Sequence, residues 1–483
     1  MHLDLDGDGP QYLQLSRAIR SAVQQGRIVG GARLPATREL AQALGLARNT
    51  VRAAYEHLST AGLLQGRVGA GSYVSAPPPG AGMALSSPRA DGYPARAEPT
   101  SAYARRARAL EPQFGLWRYP RDLRYNLQYG EPFTDALLPE QWRNELARAA
   151  LYTSPGYAPM PGLPALREAV CQYLSSRRAV LATPDDVIIV AGTQQGLALS
   201  ARVLLDEGDS AVVEEPGYFS VRQTLFAHGA SVVGVPVDKA GLVTEQLPAR
   251  RPGLVFVTPS HQFPLGTVMS QRRRQELLRY AVRHDTWIVE DDYDAEIRYD
   301  SRQVAALKAM DKPDRVVFIG SFSKVLSPSL RLAYMVVPRA LRQDFINAKR
   351  LADLGSPAIE QAAMAHFMTS GGFERHLRRV VRALRSRRNA LFKALEPCAQ
   401  AIELQDSHAG MHVVGWLKGL AAARPAELTA RAEALGVGLH PLLRHYLNPS
   451  ITAPPALLFG FAALSPSEIE AAGRLIARAI ETP

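Results

Sequence analysis

The spacing of apolar residues divides this chain into stretches of different kinds. In PQYLQLSRAIRSAVQQG, from Pro10, they recur at helical intervals and predict an amphipathic helix. LPATRELAQALGLARNTVRAAYEHLSTAGLL, from Leu34, holds two short helical periods separated at Leu44-Gly45-Leu46. A glycine there permits the tight turn of a helix-turn-helix. In the second period Val51, Tyr55 and Leu58 form the inward stripe, at i, i+4 and i+7. LLQGRVGAGSYVS, from Leu63, predicts a two-stranded hairpin with GRVGAG at its tip.

Past residue 180 the pattern becomes one of short, unbroken β-branched runs. These are VIIVAG from Val187, SAVVEE from Ser210, SVVGVPV from Ser231, LVFVTPS from Leu254, TWIVEDD from Thr286 and RVVFIGS from Arg315. Helical stretches such as QELLRYAVRH, from Gln275, separate several of them. That alternation predicts an α/β domain, a mostly parallel sheet with helices on both faces. A basic amphipathic segment, FERHLRRVVRALRSRRNALFKALE, opens a smaller C-terminal subdomain at about residue 370, and its arginines read as solvated helix surface. Residues 76–112 are rich in Pro, Ala, Gly, Ser and Arg and lack the large aliphatics of a core. The predicted organisation is a helix-turn-helix domain over 1–75, a flexible linker over 76–112 and an α/β domain over 113–483. Arg105, Arg106 and Arg108 of the linker read as solvated charge.

Composition narrows the class. A chain of 483 residues, 47% hydrophobic, buries at least one large core. It has no apolar run long enough for a membrane span, and MHLDLDGDGP places acids where a signal peptide needs a basic and then an apolar region. A cytoplasmic protein without membrane partners is expected. Cys171 and Cys398, the two cysteines, have neither disulfide nor metal spacing, so no metal site is expected. The formal net charge of +11 suits polyanionic partners without specifying one.

Charge and chemistry at the N-terminus point to DNA. Arg48, Asn49 and Arg52 lie opposite the apolar stripe, near the start of the second helix. Arginine can fork onto guanine and asparagine onto adenine in the major groove. The glycine-bearing hairpin can press its backbone and Arg67 against phosphates or into the minor groove. Residues 1–75 carry eight arginines against five acids, an excess of three. The alternative is a small three-helix domain used for protein contacts.

In GSFSKVLSPSLRLAY, Lys324 falls just past a predicted strand, where α/β proteins commonly place their chemistry. An isolated surface lysine is the plainer account, so partners decide the matter. EDDYDAE puts Asp291 and Tyr293 on alternating positions at another strand end. A pyridine-aldehyde cofactor needs a lysine for its imine and a carboxylate to keep its ring nitrogen protonated, and a phenol tunes its 3-oxygen. Gly192-Thr193-Gln194 opens a helix whose N-terminus suits a phosphate, with Ser321, Ser323 and Arg331 as further donors. Tyr218, after a strand and a Pro-Gly turn, can stack on a flat ring.

Both halves resemble known families. LPATRELAQALGLARNTVRAAYEHLSTAGLL followed by GRVGAGSYV resembles the winged helix-turn-helix of GntR-type bacterial regulators. That resemblance implies DNA contacts by Arg38, Arg48, Asn49, Thr50, Arg52 and Gly69; Ala47 departs from the usual Ser or Thr N-cap. YTSPGYAPMPGLPALREAV, VTPSHQFPLGTVMS, VEDDYDAE and GSFSKVLSPSLRLAYMV resemble the fold type I aminotransferases, which use pyridoxal 5'-phosphate (PLP). By that resemblance Lys324 is the internal-aldimine lysine, Asp291 the ring-nitrogen partner, Tyr293 the 3-oxygen partner and Tyr218 the stacking ring. Thr193, Gln194, Ser321, Ser323 and Arg331 are the phosphate donors, and Tyr157 reaches the phosphate of a neighbouring subunit. Together the two parts resemble the MocR (GabR-like) regulators, which implies a head-to-tail homodimer on an operator in double-stranded DNA.

Two functions follow. One is a PLP-dependent transcriptional regulator sensing PLP, an amine or an amino acid through Lys324. The other is a working aminotransferase with an accessory DNA-binding domain, where Lys324 is also the acid/base. The arginine that forks the substrate carboxylate in such aminotransferases falls on Leu458 here, and GABA-responsive relatives have an arginine where this chain has Ser220. Arg222 and Arg444 are the candidate replacements. The missing fork favours the regulator, with little or no turnover.

Overall fold

The computed structural model describes residues 3–67, 71–75, 100–110, 123–133, 138–300, 304–419, 424–447 and 453–481, with the side chain of Arg67 outside that description. The chain divides into two compact units, Met1–Pro99 and Thr100–Pro483.

In the smaller unit α1 (Gln11–Gln24), α2 (Thr37–Leu44) and α3 (Arg48–Thr60) share one apolar core. Val51, Tyr55 and Leu58 all point into it, as their spacing predicts. Gly45 ends α2 by adopting φ 65°, and its N–H bonds back to the carbonyl of Ala41. Glu39 accepts from the N–H of Ala36 at 3.1 Å and holds the start of α2. The hydroxyl of Tyr55 donates to the carbonyl of Pro35 at 2.9 Å, tying α3 to the entry of α2. Ala47 gives α3 no side-chain cap, which costs the helix about 1 kcal/mol. β1 (Leu64–Arg67) and β2 (Gly71–Val74) pair antiparallel, with Leu64 opposite Val74 on the core and Arg67 opposite Gly71 at the tip.

The larger unit is built on an eight-stranded sheet in the order β4-β11-β10-β9-β8-β5-β6-β7. All six predicted runs are strands in it: β4 (Val187–Val190), β5 (Ser210–Glu215), β6 (Ser231–Asp238), β8 (Leu254–Val257), β9 (Trp287–Asp292) and β10 (Val316–Ser321). They run parallel where they pair with one another. β11 (Ala333–Val336) inserts antiparallel between β10 and β4, and β7 (Gly241–Leu242) adds a short edge. Alternate residues feed cores on the two faces: Val187 and Ile189 enter one, Ile188 and Val190 the other. Near the start of the unit, β3 (Tyr125–Asn126) pairs with β14 (Val437–Gly438). The C-terminal part holds an antiparallel sheet of β12 (Ile402–Gln405), β13 (His412–Leu417), β16 (Ala456–Gly460) and β15 (His440–Pro441), packed with helices Gly372–Leu395 and Pro466–Glu481.

One part of the linker reading is corrected. Residues Ala102–Ala109 form a helix, α4, capped by Ser101, and it packs on helix Phe219–His228. Arg106 pairs with Glu207 at 2.6 Å and donates to the carbonyl of Ala227 at 3.0 Å, so this arginine is docked rather than solvated. Tyr103 meets the edge of His228. Alternating Ala and Arg are good helix formers, and the docking uses guanidinium and aromatic groups instead of aliphatic ones.

Candidate functional site

Parallel strands end together on one edge of the large sheet, and the predicted chemistry collects there. β9 and β10 run side by side with Asp291 opposite Ile319, so the turn after Ser321 carries Lys324 past the end of β9. Lys324, Asp291, Tyr293, Tyr218 and Thr193 line one cavity of about 310 Å³, with Thr258, Phe263 and the segment Gln128–Glu131. The ammonium of Lys324 donates to the carbonyl of Gly130.

Burial sets the electrostatics. The Asp291 carboxyl is pushed up to about 8, first by desolvation and then by neighbouring Asp292, while Lys324 opposes the shift. Its Oδ1 is buried without a hydrogen-bond partner. Desolvation also lowers the Lys324 amine below the usual lysine range, which raises its nucleophilic fraction. Tyr293 is held well above the ordinary phenol range by burial and by Asp294 and Asp291. Its hydroxyl lies 3.0 Å from Nδ1 of His261, and that nitrogen lies 2.9 Å from Asp294. Behind Asp291, Arg178 forks onto Asp292 with two contacts of 2.7 Å and fixes the end of β9.

An anion cradle adjoins the cavity. Helix Thr193–Leu204 starts after Gly192 with no side-chain cap and no acid in its first turn, leaving N–H groups for a ligand. Gly192 has φ 85°, and a Cβ there would lie 2.5 Å from Nη2 of Arg331. Arg331, at φ 48°, reaches the carbonyl of Ala191 at 2.9 Å, so its guanidinium sits at that helix start. Ser321 accepts from the N–H of Ser323 at 3.1 Å and shapes the turn before Lys324.

Other expected residues lie off the cavity wall. The side chain of Gln194 donates to Thr224 at 2.7 Å and is not on the cavity wall. Tyr157 is 89% exposed and makes no part of this cavity. Arg222 donates to the carbonyls of Arg444 and His445, at 2.8 and 3.4 Å, so its guanidinium is committed to backbone. Leu458 is fully buried on β16, between Val414 and His440. The structure adds Gly130, Thr258, His261 and Phe263, which motif reasoning passed over; three of them lie in VTPSHQFPLGTVMS, a segment weighed only as a whole.

In the smaller unit Arg38, Arg48, Asn49 and Arg52 are exposed and Thr50 is half-buried. Arg48 and Asn49 open α3, and Arg52 pairs loosely with Glu56 at 3.7 Å. Arg67 lies on β1, and Gly69 falls outside the described residues.

Fold and site together define an aminotransferase-type α/β unit carried by a chain with a winged helix-turn-helix. Residues 125–453 match the model for aminotransferase class I and II, and residues 11–74 match that for bacterial regulatory proteins of the gntR family. The chain belongs to the MocR-type regulators of the GntR family. It is similar to the probable rhizopine catabolism regulatory protein MocR of Rhizobium meliloti, 36% identical over 96% of this chain and 92% of the relative. It is also similar to the HTH-type transcriptional regulator TauR of Rhodobacter capsulatus, 34% identical over 98% and 97%. Among solved structures, an α-aminoadipate aminotransferase from Thermus thermophilus, complexed with N-(5'-phosphopyridoxyl)-L-leucine, superposes with a TM-score of 0.69. The two are 27% identical, and the match covers 79% of this chain and 97% of that one. Among the described residues no helix is long and apolar enough to cross a membrane.

Proposed function

We propose that this regulator binds PLP at Lys324, reads operator DNA with its helix-turn-helix, and reports on the cofactor with little or no turnover. The observation that carries this reading is the buried, unpartnered Oδ1 of Asp291 in the cavity that Lys324 enters. A lone buried carboxylate is costly, and a protonated ring nitrogen is the partner that relieves it. When bound, PLP supplies an electron-withdrawing ring and an aldehyde carbon that takes an amine. Asp291 holds the ring-nitrogen proton, Tyr293 donates to the 3-oxygen, Tyr218 packs on the ring, and Lys324 provides the attaching amine. The backbone at Thr193 and Gln194, with Ser321, Ser323 and Arg331, binds the phosphate. Exposed Tyr157 reaches the phosphate of a partner subunit in a head-to-tail homodimer. Arg38, Arg48, Asn49, Thr50, Arg52, Arg67 and Gly69 contact the DNA. The apolar Leu458 and the committed Arg222 remove two of the three positions that could fork an α-amino acid carboxylate, leaving Arg444, and this supports sensing over transamination.

Borohydride reduction of the PLP-loaded protein is expected to fix the cofactor to Lys324, read as a mass increase on the peptide that carries it. Lys324→Ala is expected to abolish that label. Unlabelled Lys324, or operator affinity that is the same with and without PLP, overturns the reading. Gly192→Ala is expected to weaken PLP binding about tenfold in a reconstitution titration, because the new methyl strains φ and displaces the Arg331 guanidinium. Unchanged affinity would remove Gly192 and Arg331 from the phosphate cradle.

A further inference from the structure

The charges around the cavity do not balance once the cofactor's requirements are met. Among the described residues that line it, the charged ones are Asp291, Lys324 and Glu131. On the PLP reading, on which this inference rests, Asp291 faces the ring nitrogen and Lys324 is engaged with the cofactor. Glu131, whose charge acts on Lys324, then remains at the exposed rim, and no other cation lines the cavity among the described residues.

The other described wall residues are uncharged, four of them aromatic, and a buried histidine cluster packs behind Tyr129 and Phe263. Tyr129 and Phe263 lie with ring centroids 5.9 Å apart, and His445 meets both, at 5.0 and 5.1 Å. Burial lowers His440 and His445 to about 3 and His412 to about 4, so these imidazoles are neutral near pH 7. Leu458 and Leu442 pack in the same apolar cluster. A ligand carboxylate at the rim would meet aromatic faces and the like charge of Glu131, with Arg222 and Arg444 set by His445 rather than on the wall. An ammonium would meet a carboxylate and electron-rich rings, an attractive pairing.

We propose that the effector end of this cavity takes a short alkyl diamine, with Glu131 as the subsite for its distal ammonium. One amine faces the cofactor, the methylene chain lies along Tyr129 and Phe263, and the second ammonium pairs with Glu131. A monoamine forfeits that pair, and an amino acid replaces it with repulsion.

The test uses the full-length, PLP-loaded protein and three probes of equal reach: putrescine, butylamine and γ-aminobutyrate. Binding is read from the visible circular dichroism of the cofactor. Putrescine is expected to bind about tenfold more tightly than butylamine, and γ-aminobutyrate more weakly than either. Glu131→Gln is expected to remove the tenfold advantage while leaving butylamine unchanged, and Glu131→Lys to reverse the order of putrescine and γ-aminobutyrate. Glu131 is exposed, so neither variant disturbs a core. Tighter binding of γ-aminobutyrate, equal binding of putrescine and butylamine, or insensitivity to Glu131→Gln overturns the proposal. Failure to take up PLP, seen first by absorbance, sinks the cofactor reading and this proposal with it. Uptake of PLP without a preference for putrescine sinks this proposal alone.

Discussion

Asp291→Asn is expected to weaken PLP binding by about 100-fold or more and to flatten the pH dependence of the cofactor-free protein's stability. The first effect follows from removing the charge that faces the ring-nitrogen proton. The second follows from linkage. Asp291 titrates at about 8 in the folded protein, against an ordinary value of 3.8. Between those values the folded state holds a proton that the unfolded state has released, so stability falls as pH rises from about 4 to about 8. Glu214, Glu290 and Glu296, each raised to about 7 by burial, titrate in the same window. The informative quantity is therefore the difference between wild type and variant. Thermal unfolding of the cofactor-free proteins at about pH 5 and pH 8 measures it: the wild type should lose more melting temperature than Asp291→Asn. Loading the wild type with PLP should shrink the loss, because the carboxylate gains a cationic partner. Equal slopes in wild type and variant would mean that Asp291 does not carry the buried charge assigned to it.

The legible parts of this molecule are local in sequence. The six strand runs, the glycine between α2 and α3, and the inward stripe of α3 each depend on a few neighbouring residues, and each forms as its pattern predicts. The association of Lys324 with Asp291 was legible because both sit at the ends of parallel strands, whose common edge follows from the α/β alternation. The segment Gln128–Glu131 was not legible. It reaches the cavity from nearly 200 residues away, and the bond from Lys324 to Gly130 spans 194 positions. Nothing in the spacing of QYGE marks it as a wall. α4 was hidden for a different reason: Arg106 and Tyr103 dock it, and the arginines of this segment read as solvated when taken by composition. β11 is short and follows a loop rich in serine, so its antiparallel insertion is a property of the assembled sheet. The apolar character of Leu458 was visible in the sequence, whereas the commitment of Arg222 to two backbone carbonyls required coordinates.

The small unit carries the other large effect. Replacing Arg48 and Arg52 together by Ala is expected to lower operator affinity by about 100-fold, since each arginine that forks onto a guanine contributes about 1–3 kcal/mol. Stability should not fall with it. Arg48 occupies the first turn of α3, where its charge opposes the positive end of the helix dipole, so removing it relieves a repulsion. Arg52 and Glu56 form an exposed pair at 3.7 Å, of the kind that contributes little. A drop in binding without a drop in melting temperature would thus locate the loss at the DNA. Salt dependence separates two ways of making contact. If these arginines read bases, specific affinity collapses while the slope against salt is retained; if they contact phosphates, specific and non-specific binding weaken alike and the slope shrinks by about one per arginine. PLP uptake, measured on the same preparation, should be unaffected, because both residues lie in Met1–Pro99 and the cavity lies in Thr100–Pro483. Unaltered operator affinity in the double variant would move DNA recognition away from α3 and leave the helix-turn-helix as a protein-contact domain.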